Sequence, residues 1–306
     1  MFFEYALEPS LLKNWDRVRY FLDSFGPTKG RFLARYPKHW SRMVIESLSC
    51  ADVEKKRITE RLFQLQSQNA FSPRKNAQYD GKRSWLENAV AEDCRAAFHA
   101  IVAEAGNGAR ILDGHVLDES NRLWQVDSGA LVARDPNALM QAVALLLRAS
   151  DSLVFIDPYF RASDYDKIIP LLAAVAVRGA LPERLEVHFA EGDKGYTFQL
   201  AEAERLLPRL LPSGVKVSLH CWRERAGGAR LHNRYLVTDI GGLQFGDGIE
   251  RGRGGQSDRV SVLDEPSRAG LWKEYCSQAP GFDLAGPIVT ISGASTSEKG
   301  MATGTL

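Results

Sequence analysis

Between residues 135 and 250, short apolar runs alternate with stretches of helical periodicity, and this alternation restricts the fold more than any other feature of the chain. Asp135 and Pro136 are a typical cap and first residue for the leading helix. Helices between apolar strand runs cover the faces of a parallel or mixed sheet, so the pattern predicts an α/β domain. Helices are predicted over 135–150, 163–179 and 197–211, and strands over 151–157, 184–190, 215–222, 232–239 and 242–250.

The residues on either side of this domain give a weaker signal. Residues 1–85 are predicted to form a basic, mainly α-helical domain, with helices over 7–23 and 52–68. Residues 86–134 are predicted to connect the two domains through one helix, running from Trp85 to Glu104, and a β-hairpin. The α/β domain is expected to span 135–285. Periodicity is lost after about residue 292, and 286–306 is predicted to be a disordered tail.

The net charge of +1 conceals an asymmetry along the chain. Residues 1–85 hold 16 Lys and Arg against 9 Asp and Glu, a local charge of +7 that leaves −6 for the remainder. Such an excess suits contact with nucleic acid or an acidic partner, or equally a solvated helical surface. Basic residues interleaved with aromatic ones can bind a phosphate backbone, although aromatics at this spacing also form cores. The residues concerned are Arg31, Arg35 and Lys38, beside Phe32, Tyr36 and Trp40.

Composition also excludes several classes of protein. The four cysteines are scattered and form no CxxC pair, which favours reduced thiols in a cytoplasmic protein and disfavours a structural zinc site. No apolar run approaches the length needed to cross a bilayer, so no membrane association is expected. The first ten residues lack the basic region of a signal peptide.

One short segment, residues 230–250, carries the chemistry of the chain. His232 and Arg234 are two residues apart in a predicted strand, and side chains at that spacing share a face. Asp239 follows after four residues, and Gly246 after six more. An imidazole and a guanidinium on one face can act together on a phosphate group.

This spacing resembles the HxK-x4-D-x6-G signature of the phospholipase D superfamily, with arginine in place of lysine and Gly246-Asp247-Gly248 in place of the usual ending. The run "SLVFIDPYF" similarly resembles the first strand of such a domain. The resemblance covers residues 135 to about 275. It implies a mixed sheet flanked by helices and a phosphodiesterase that uses neither a metal nor another cofactor.

In that family a histidine attacks phosphorus to form a phosphohistidine, a second histidine protonates the leaving group, and the cation neutralises phosphate oxygens. The resemblance thus assigns catalysis to His232 and Arg234, with Asp239 orienting an imidazole or anchoring the turn. Gly246 would allow close approach of the backbone. Here the HxR segment occurs once, so the second histidine must come from another copy in a homodimer. His232 as a phosphate ligand without turnover, or as a structural histidine, remains open.

Arginines flank the motif on both sides, in glycine-containing loops that suit a phosphate or nucleic-acid site or a plain exposed surface. They are Arg223, Arg225 and Arg230 before it, and Arg251 and Arg253 after it. Arg234 itself has an alternative role in an ion pair with Asp239 or Asp247, and Asp157 is expected to cap a turn.

Two functions follow from these observations. The first is a dimeric, metal-independent nuclease in a bacterial anti-phage or mobile-element system, as the resemblance suggests. The second is a catalytically inactive adaptor that binds phosphate within a multi-protein complex and docks an ATPase or effector subunit. The arginine-for-lysine change and the altered glycine ending favour the second.

Overall fold

The computed structural model describes residues 1–67, 71–74, 76–166, 169, 182–250, 255–277 and 280–294. The chain divides into two compact units, one comprising Met1–Ser128 and the other beginning at Gly129. Each unit contains its own β-sheet with helices, which confirms the predicted α/β class. Across the described ranges, no helix combines the length and the apolar character that a membrane span requires.

The first unit is built on a parallel sheet. Its strands are β1 (Phe3–Leu7), β2 (Arg31–Ala34), β3 (Phe71–Ser72), β4 (Ala100–Ala103) and β5 (Ile111–Asp113), and its helices are α1 (Trp15–Leu22), α2 (Trp40–Ser47), α3 (Asp52–Ser67) and α4 (Trp85–Arg95). The strand order is β3-β2-β1-β4-β5, with every neighbouring pair parallel. All residues of β2 and β4 are buried, as expected for strands covered on both faces.

This sheet corrects three predictions for residues 1–134. The front region is not mainly helical, because β1 and β2 lie at the centre of its sheet. The helix that begins at Trp85 ends at Arg95, and the following apolar residues form β4. The predicted hairpin is absent from this described part of the chain: β5 pairs parallel to β4. Apolar runs of three to five residues show too little periodicity to separate strand from helix, and a connection of seven residues is unusually short for parallel neighbours.

The second unit contains a nine-stranded mixed sheet. Its strands are β6 (Gly129–Ala133), β7 (Ser152–Ile156), β8 (Arg184–Ala190), β9 (Lys216–Arg223), β10 (Arg234–Thr238), β11 (Gly242–Phe245), β12 (Ser257–Val262), β13 (Asp283–Leu284) and β14 (Val289–Ser292). Its described helices are α5 (Pro136–Ala149), α6 (Tyr196–Leu210) and α7 (Glu265–Cys276). The order is β13-β9-β8-β7-β10-β11-β12-β6, and β14 also pairs with β9. The predicted elements β7 to β11, α5 and α6 are confirmed, with Asp135 accepting hydrogen bonds as the α5 cap.

Strand direction brings many loops to one edge of this sheet. Strands β7, β8 and β9 run parallel and end at the same edge, called the carboxyl edge below. Because β10 and β12 are antiparallel to their neighbours, they begin at that edge, where β11 and β6 end. Loops at the carboxyl ends of parallel strands are the usual place for a binding site in α/β proteins.

Two further predictions concern the C-terminal segment 286–306 and the helix over 163–179. Within the segment predicted as a disordered tail, β14 pairs antiparallel with β9, so that part of the prediction is wrong. The four residues Val289–Ser292 are too few to show a clear strand periodicity, and the partner strand β9 lies some 70 residues earlier in the chain. Residues 295–306, and the predicted helix over 163–179 from residue 167 onwards apart from Ile169, lie outside the described residues.

Candidate phosphate site

His232 and Arg234 lie at the carboxyl edge, where β10 begins at Arg234. The His232 side chain is exposed, and its Nδ1 lies 3.0 Å from the Tyr159 hydroxyl oxygen. Tyr159 follows β7, which pairs directly with β10 and so brings the two residues together. A phenol hydroxyl both donates and accepts, so this one bond can hold either neutral tautomer of the imidazole. The Nε2 atom is left to face a substrate.

The Arg234 guanidinium is held by three neighbours. Its Nη1 donates to the Gly246 carbonyl oxygen at 3.1 Å, and its Nε lies 3.7 Å from Asp157 Oδ1. Its central carbon lies 4.5 Å from the centre of the Tyr159 ring, in cation–π contact. The ion pair is therefore with Asp157, and the alternative partners Asp239 and Asp247 are not used. Arg234 and His232 thus both contact Tyr159, one over its ring and the other at its hydroxyl group.

Asp157 contacts Tyr159, Tyr165 and Arg234 and so fixes their relative positions. It is buried at the end of β7, where Oδ1 accepts the backbone N–H of Tyr159 at 2.9 Å and Oδ2 accepts the Tyr165 hydroxyl. Burial and the adjacent Asp157 carboxylate raise the pKa of Tyr165 well above its ordinary value, so Tyr165 stays a neutral donor. The expected turn-capping role of Asp157 is confirmed, and the same carboxylate also contacts Arg234.

Two glycines after β11 are required by close contacts, as predicted for Gly246. A Cβ atom there would lie 2.6 Å from Asp258 Oδ1, the oxygen that also accepts the Asp247 N–H at 3.0 Å. Gly248 has a φ of +104°, and a Cβ atom would collide with the Glu250 carboxylate and lie 3.0 Å from Arg234 Cδ. The glycine turn thus lets the backbone pack directly against charged side chains.

Several charged side chains lie within and next to this glycine turn. Arg134, which follows β6, forms ion pairs with Glu250 and, at 3.5 Å, with Asp247. Burial raises the pKa of Glu250. Several buried polar atoms here make no hydrogen bond among the described residues, which is uncommon and is typical of sites that bind something. They are Arg134 Nε, Arg234 Nε, Glu250 Oε2 and Asp258 Oδ2.

Asp239 is not part of this group. Its Oδ1 accepts the backbone N–H groups of Asp151 and Ser152, at 3.1 and 3.0 Å, where β7 begins. That is the opposite end of β10 from Arg234, about 17 Å away at the rise of a strand. Asp239 therefore anchors the turn, the structural one of its two expected roles, and cannot orient the His232 imidazole of the same chain.

The arginines that flank the motif differ in their ion pairs. Arg223 pairs with Glu191, with Nη2 to Oε2 at 2.7 Å, and Arg225 pairs with Asp283, with Nε to Oδ1 at 2.8 Å. Arg230 is exposed in the loop before His232. All three lie near the carboxyl edge, and exposed ion pairs of this kind open at little cost in free energy. Arg251 and Arg253 lie outside the described residues.

The predicted basic and aromatic surface near the N-terminus is largely absent. Arg31 is buried, its guanidinium donating to the Trp124 carbonyl oxygen and pairing with Glu119 at 3.1 Å. The assignment of Arg31 to phosphate binding is therefore wrong, because the strand β2 that carries it is buried on both faces. Arg35 and Lys38 are exposed after β2, in the first unit. The interleaved aromatics Phe32, Tyr36 and Trp40 are all buried core residues.

A second polar cluster is formed by side chains of β8 and of α7 in the second unit. Glu186, His188 and Cys276 bring potential metal ligands within 4.8 Å of one another. The Trp222 indole N–H donates to His188 Nδ1 at 3.0 Å, so His188 Nε2 carries the proton that it donates to Glu186 at 2.9 Å. Both ring nitrogens of His188 are thus used in hydrogen bonds, which leaves it no lone pair for an ion. The cluster fits a hydrogen-bonded network and not a metal centre.

No protein-family model, curated protein or solved structure matches this chain. The sequence motif predicts His232, Arg234 and the Asp157 turn as parts of this site. The structure adds Tyr159, Arg134 and Glu250, to which the motif assigns no role. The Asp-Pro-Tyr run is a sequence signal for Tyr159.

Proposed function

We propose that the chain is a phosphodiesterase resembling the phospholipase D superfamily, acting as a nuclease at the carboxyl edge of its second sheet. The observation that carries the proposal is the convergence of His232, Tyr159 and Arg234, with the Arg234 guanidinium held by Asp157 and the Gly246 carbonyl. Nucleophilic groups beside a fixed cation are what phosphoryl transfer needs.

The roles follow from what each side chain can supply. The exposed His232 imidazole can act as a general base or acid, or attack phosphorus through Nε2. Arg234 can bind two non-bridging phosphate oxygens at once and stabilise the charge that develops on them. A preorganised donor of this kind contributes about 10²- to 10³-fold to a reaction rate. No step in this scheme requires a metal ion.

A nucleic-acid substrate is supported by the cations around the edge. Arg223, Arg225 and Arg230 lie in or after the end of β9 and before β10, at the same edge of the sheet as His232, and can contact phosphates of a chain that extends beyond the reacting one. The homodimer, the anti-phage or mobile-element setting and the ATPase or effector partner belong to the hypothesis drawn from the resemblance, and they stay predictions.

The test is cleavage of labelled single- and double-stranded DNA and RNA in the presence of EDTA. We expect cleavage by the native chain and loss of at least about 1,000-fold in His232→Ala, with unchanged unfolding because the side chain is exposed. His115→Ala, an exposed histidine of the first unit, is the matched control and should cleave normally. Light scattering on the same samples reports whether the chain is a dimer.

A second function has an observation of its own. The Arg234 guanidinium already contacts Asp157 and Gly246, and in the described ranges no carboxylate pairs with the His232 imidazole. A site arranged in this way could bind phosphate without turning it over, as an adaptor would. Binding of an oligonucleotide that is weakened in Arg234→Ala, with no cleavage by any variant, would favour the adaptor.

A further inference from the structure

The hydrogen bond between Tyr159 and His232 joins a nucleophile to a base. The Tyr159 Oη and His232 Nδ1 atoms are 3.0 Å apart, within the range in which a hydroxyl is activated by an adjacent imidazole. Tyr159 is 54% exposed, so a substrate phosphate can reach its hydroxyl group. Tyrosine is one of the side chains that form covalent intermediates in enzymes.

The alternative, attack by His232 itself, lacks support within the chain. For a histidine to attack phosphorus through Nε2, its Nδ1–H has to be held by an acceptor, most often a carboxylate or a backbone carbonyl. Among the described residues the Nδ1 partner is Tyr159, and Asp239 lies at the far end of β10. The histidines of the sheet interior, His188 and His220, are buried and face away from solvent. Neither of these two histidines of the second unit can therefore serve as a second, protonating histidine.

We propose that Tyr159 is the nucleophile of the carboxyl edge and that His232 is its general base. This inference rests on the proposed phosphodiesterase function and changes the group that attacks. It also makes a single copy of the chain sufficient for catalysis. Both partners of the reaction then come from neighbouring strands, Tyr159 after β7 and His232 before β10.

The reaction proceeds in two displacements. Tyr159 Oη attacks phosphorus and gives its proton to His232 Nδ1, and the bond from phosphorus to the leaving sugar oxygen breaks. The leaving oxygen, on the opposite side of phosphorus, takes a proton from a water molecule, which becomes hydroxide, and one strand end stays joined to Tyr159 as a phosphodiester. The hydroxide then attacks phosphorus, the Tyr159 oxygen leaves, and the His232 imidazolium returns its proton to that oxygen. The sum is hydrolysis of one phosphodiester bond.

Arg234 and Asp157 fit this arrangement. The guanidinium lies over the Tyr159 ring at 4.5 Å, where it stabilises negative charge on the phenol oxygen and on the phosphate that joins it. Asp157 accepts the Tyr159 backbone N–H and lies 3.7 Å from Arg234 Nε. One buried carboxylate thus positions both the nucleophile and the cation.

The experiment traps the covalent intermediate. The native chain is mixed with an end-labelled oligonucleotide in EDTA and quenched in denaturant, and the labelled peptide is identified by mass spectrometry. We expect an acid-stable adduct on Tyr159. Tyr159→Phe keeps the ring under Arg234 and removes only the hydroxyl, so it should form no adduct and lose at least about 1,000-fold in cleavage. Tyr196→Phe, which removes a hydroxyl bonded to the Pro287 carbonyl, should retain both.

The remaining outcomes separate this inference from the proposed function. An acid-labile adduct on His232, formed equally well by Tyr159→Phe, would overturn the role of Tyr159 while supporting the phosphodiesterase. Cleavage by native chain that survives in Tyr159→Phe but not in His232→Ala would do the same. Neither cleavage nor adduct with any of the four nucleic acids would overturn the phosphodiesterase and Tyr159 catalysis together.

Discussion

Two histidines of one sheet, His188 and His232, show how position decides what an imidazole can do. Both ring nitrogens of His188 are engaged, one by Trp222 and the other by Glu186, and the side chain is fully buried. His232 is exposed at the end of the sheet, with one nitrogen bonded to Tyr159. The interior histidine therefore stabilises the fold in its neutral form. The edge histidine keeps a nitrogen available for chemistry, and this difference can be tested.

The largest effect is expected at the edge. Arg234→Ala removes the cation between His232 and the glycine turn, and we expect cleavage to fall by about 10²- to 10³-fold. Arg234→Lys should recover part of the lost cleavage rate, because an ammonium group supplies the charge but not a bidentate contact with phosphate. Arg205→Ala, on the exposed surface of α6, is the control and should cleave as the native chain does. Equal activity of the two alanine variants would remove Arg234 from the site.

An intermediate effect is expected inside the sheet, on stability rather than on cleavage. Burial lowers the pKa of His188 from 6.5 to about 4, with the neighbouring His220 acting in the same direction. As the pH falls, His188 is protonated in the unfolded chain before it is protonated in the folded chain. Its contribution to the free energy of unfolding is therefore fully present above pH 6.5 and is lost as the pH falls towards 4. The loss from this group amounts to about 3 kcal/mol.

Denaturant titrations at several pH values measure that loss. His188→Gln keeps a donor near Glu186 but does not titrate, so its stability should vary less between pH 6.5 and 4.5. His115→Gln, which is exposed, should leave the pH dependence of the native chain unchanged. If the native chain were equally stable at pH 6.5 and 4.5, then His188 would not be held neutral by burial.

The smallest effect concerns the far end of β10. Asp239→Ala removes the acceptor for two backbone N–H groups at the start of β7, and should lower the free energy of unfolding by about 1 kcal/mol. Cleavage should be unaffected, because Asp239 lies at the opposite end of the strand from Arg234. A large loss of cleavage with normal stability would return Asp239 to the catalytic group.

The sequence was informative wherever an element carries its own pattern. The apolar runs of β7 to β11 and the Asp135-Pro136 start of α5 were predicted correctly, whereas His232 lies two residues before the strand that was predicted to include it. Each of the correct predictions depends on residues a few positions apart, so local periodicity and capping are sufficient.

What could not be predicted depends on strand pairing over long distances. Tyr159 meets His232 only because β7 and β10 are neighbours, a pairing that spacing along the chain does not specify. The short strands β1 and β2 carry no resolved periodicity, which is why the parallel sheet of the first unit was missed. The sequence alone predicts Arg31 as a surface cation, because its partners Trp124 and Glu119 lie some 90 residues away along the chain.

The pairing of β6 with β12 also has a consequence for synthesis of the chain. Leu131 pairs with Arg259, 128 positions later, and Arg134 reaches the glycine turn only when that pairing has formed. A ribosome releases β6 first, and this strand has no pairing partner until β12 has been made. Contacts between such distant segments form late in folding. The contact of Arg134 with the glycine turn is therefore expected to form only after β12 has emerged.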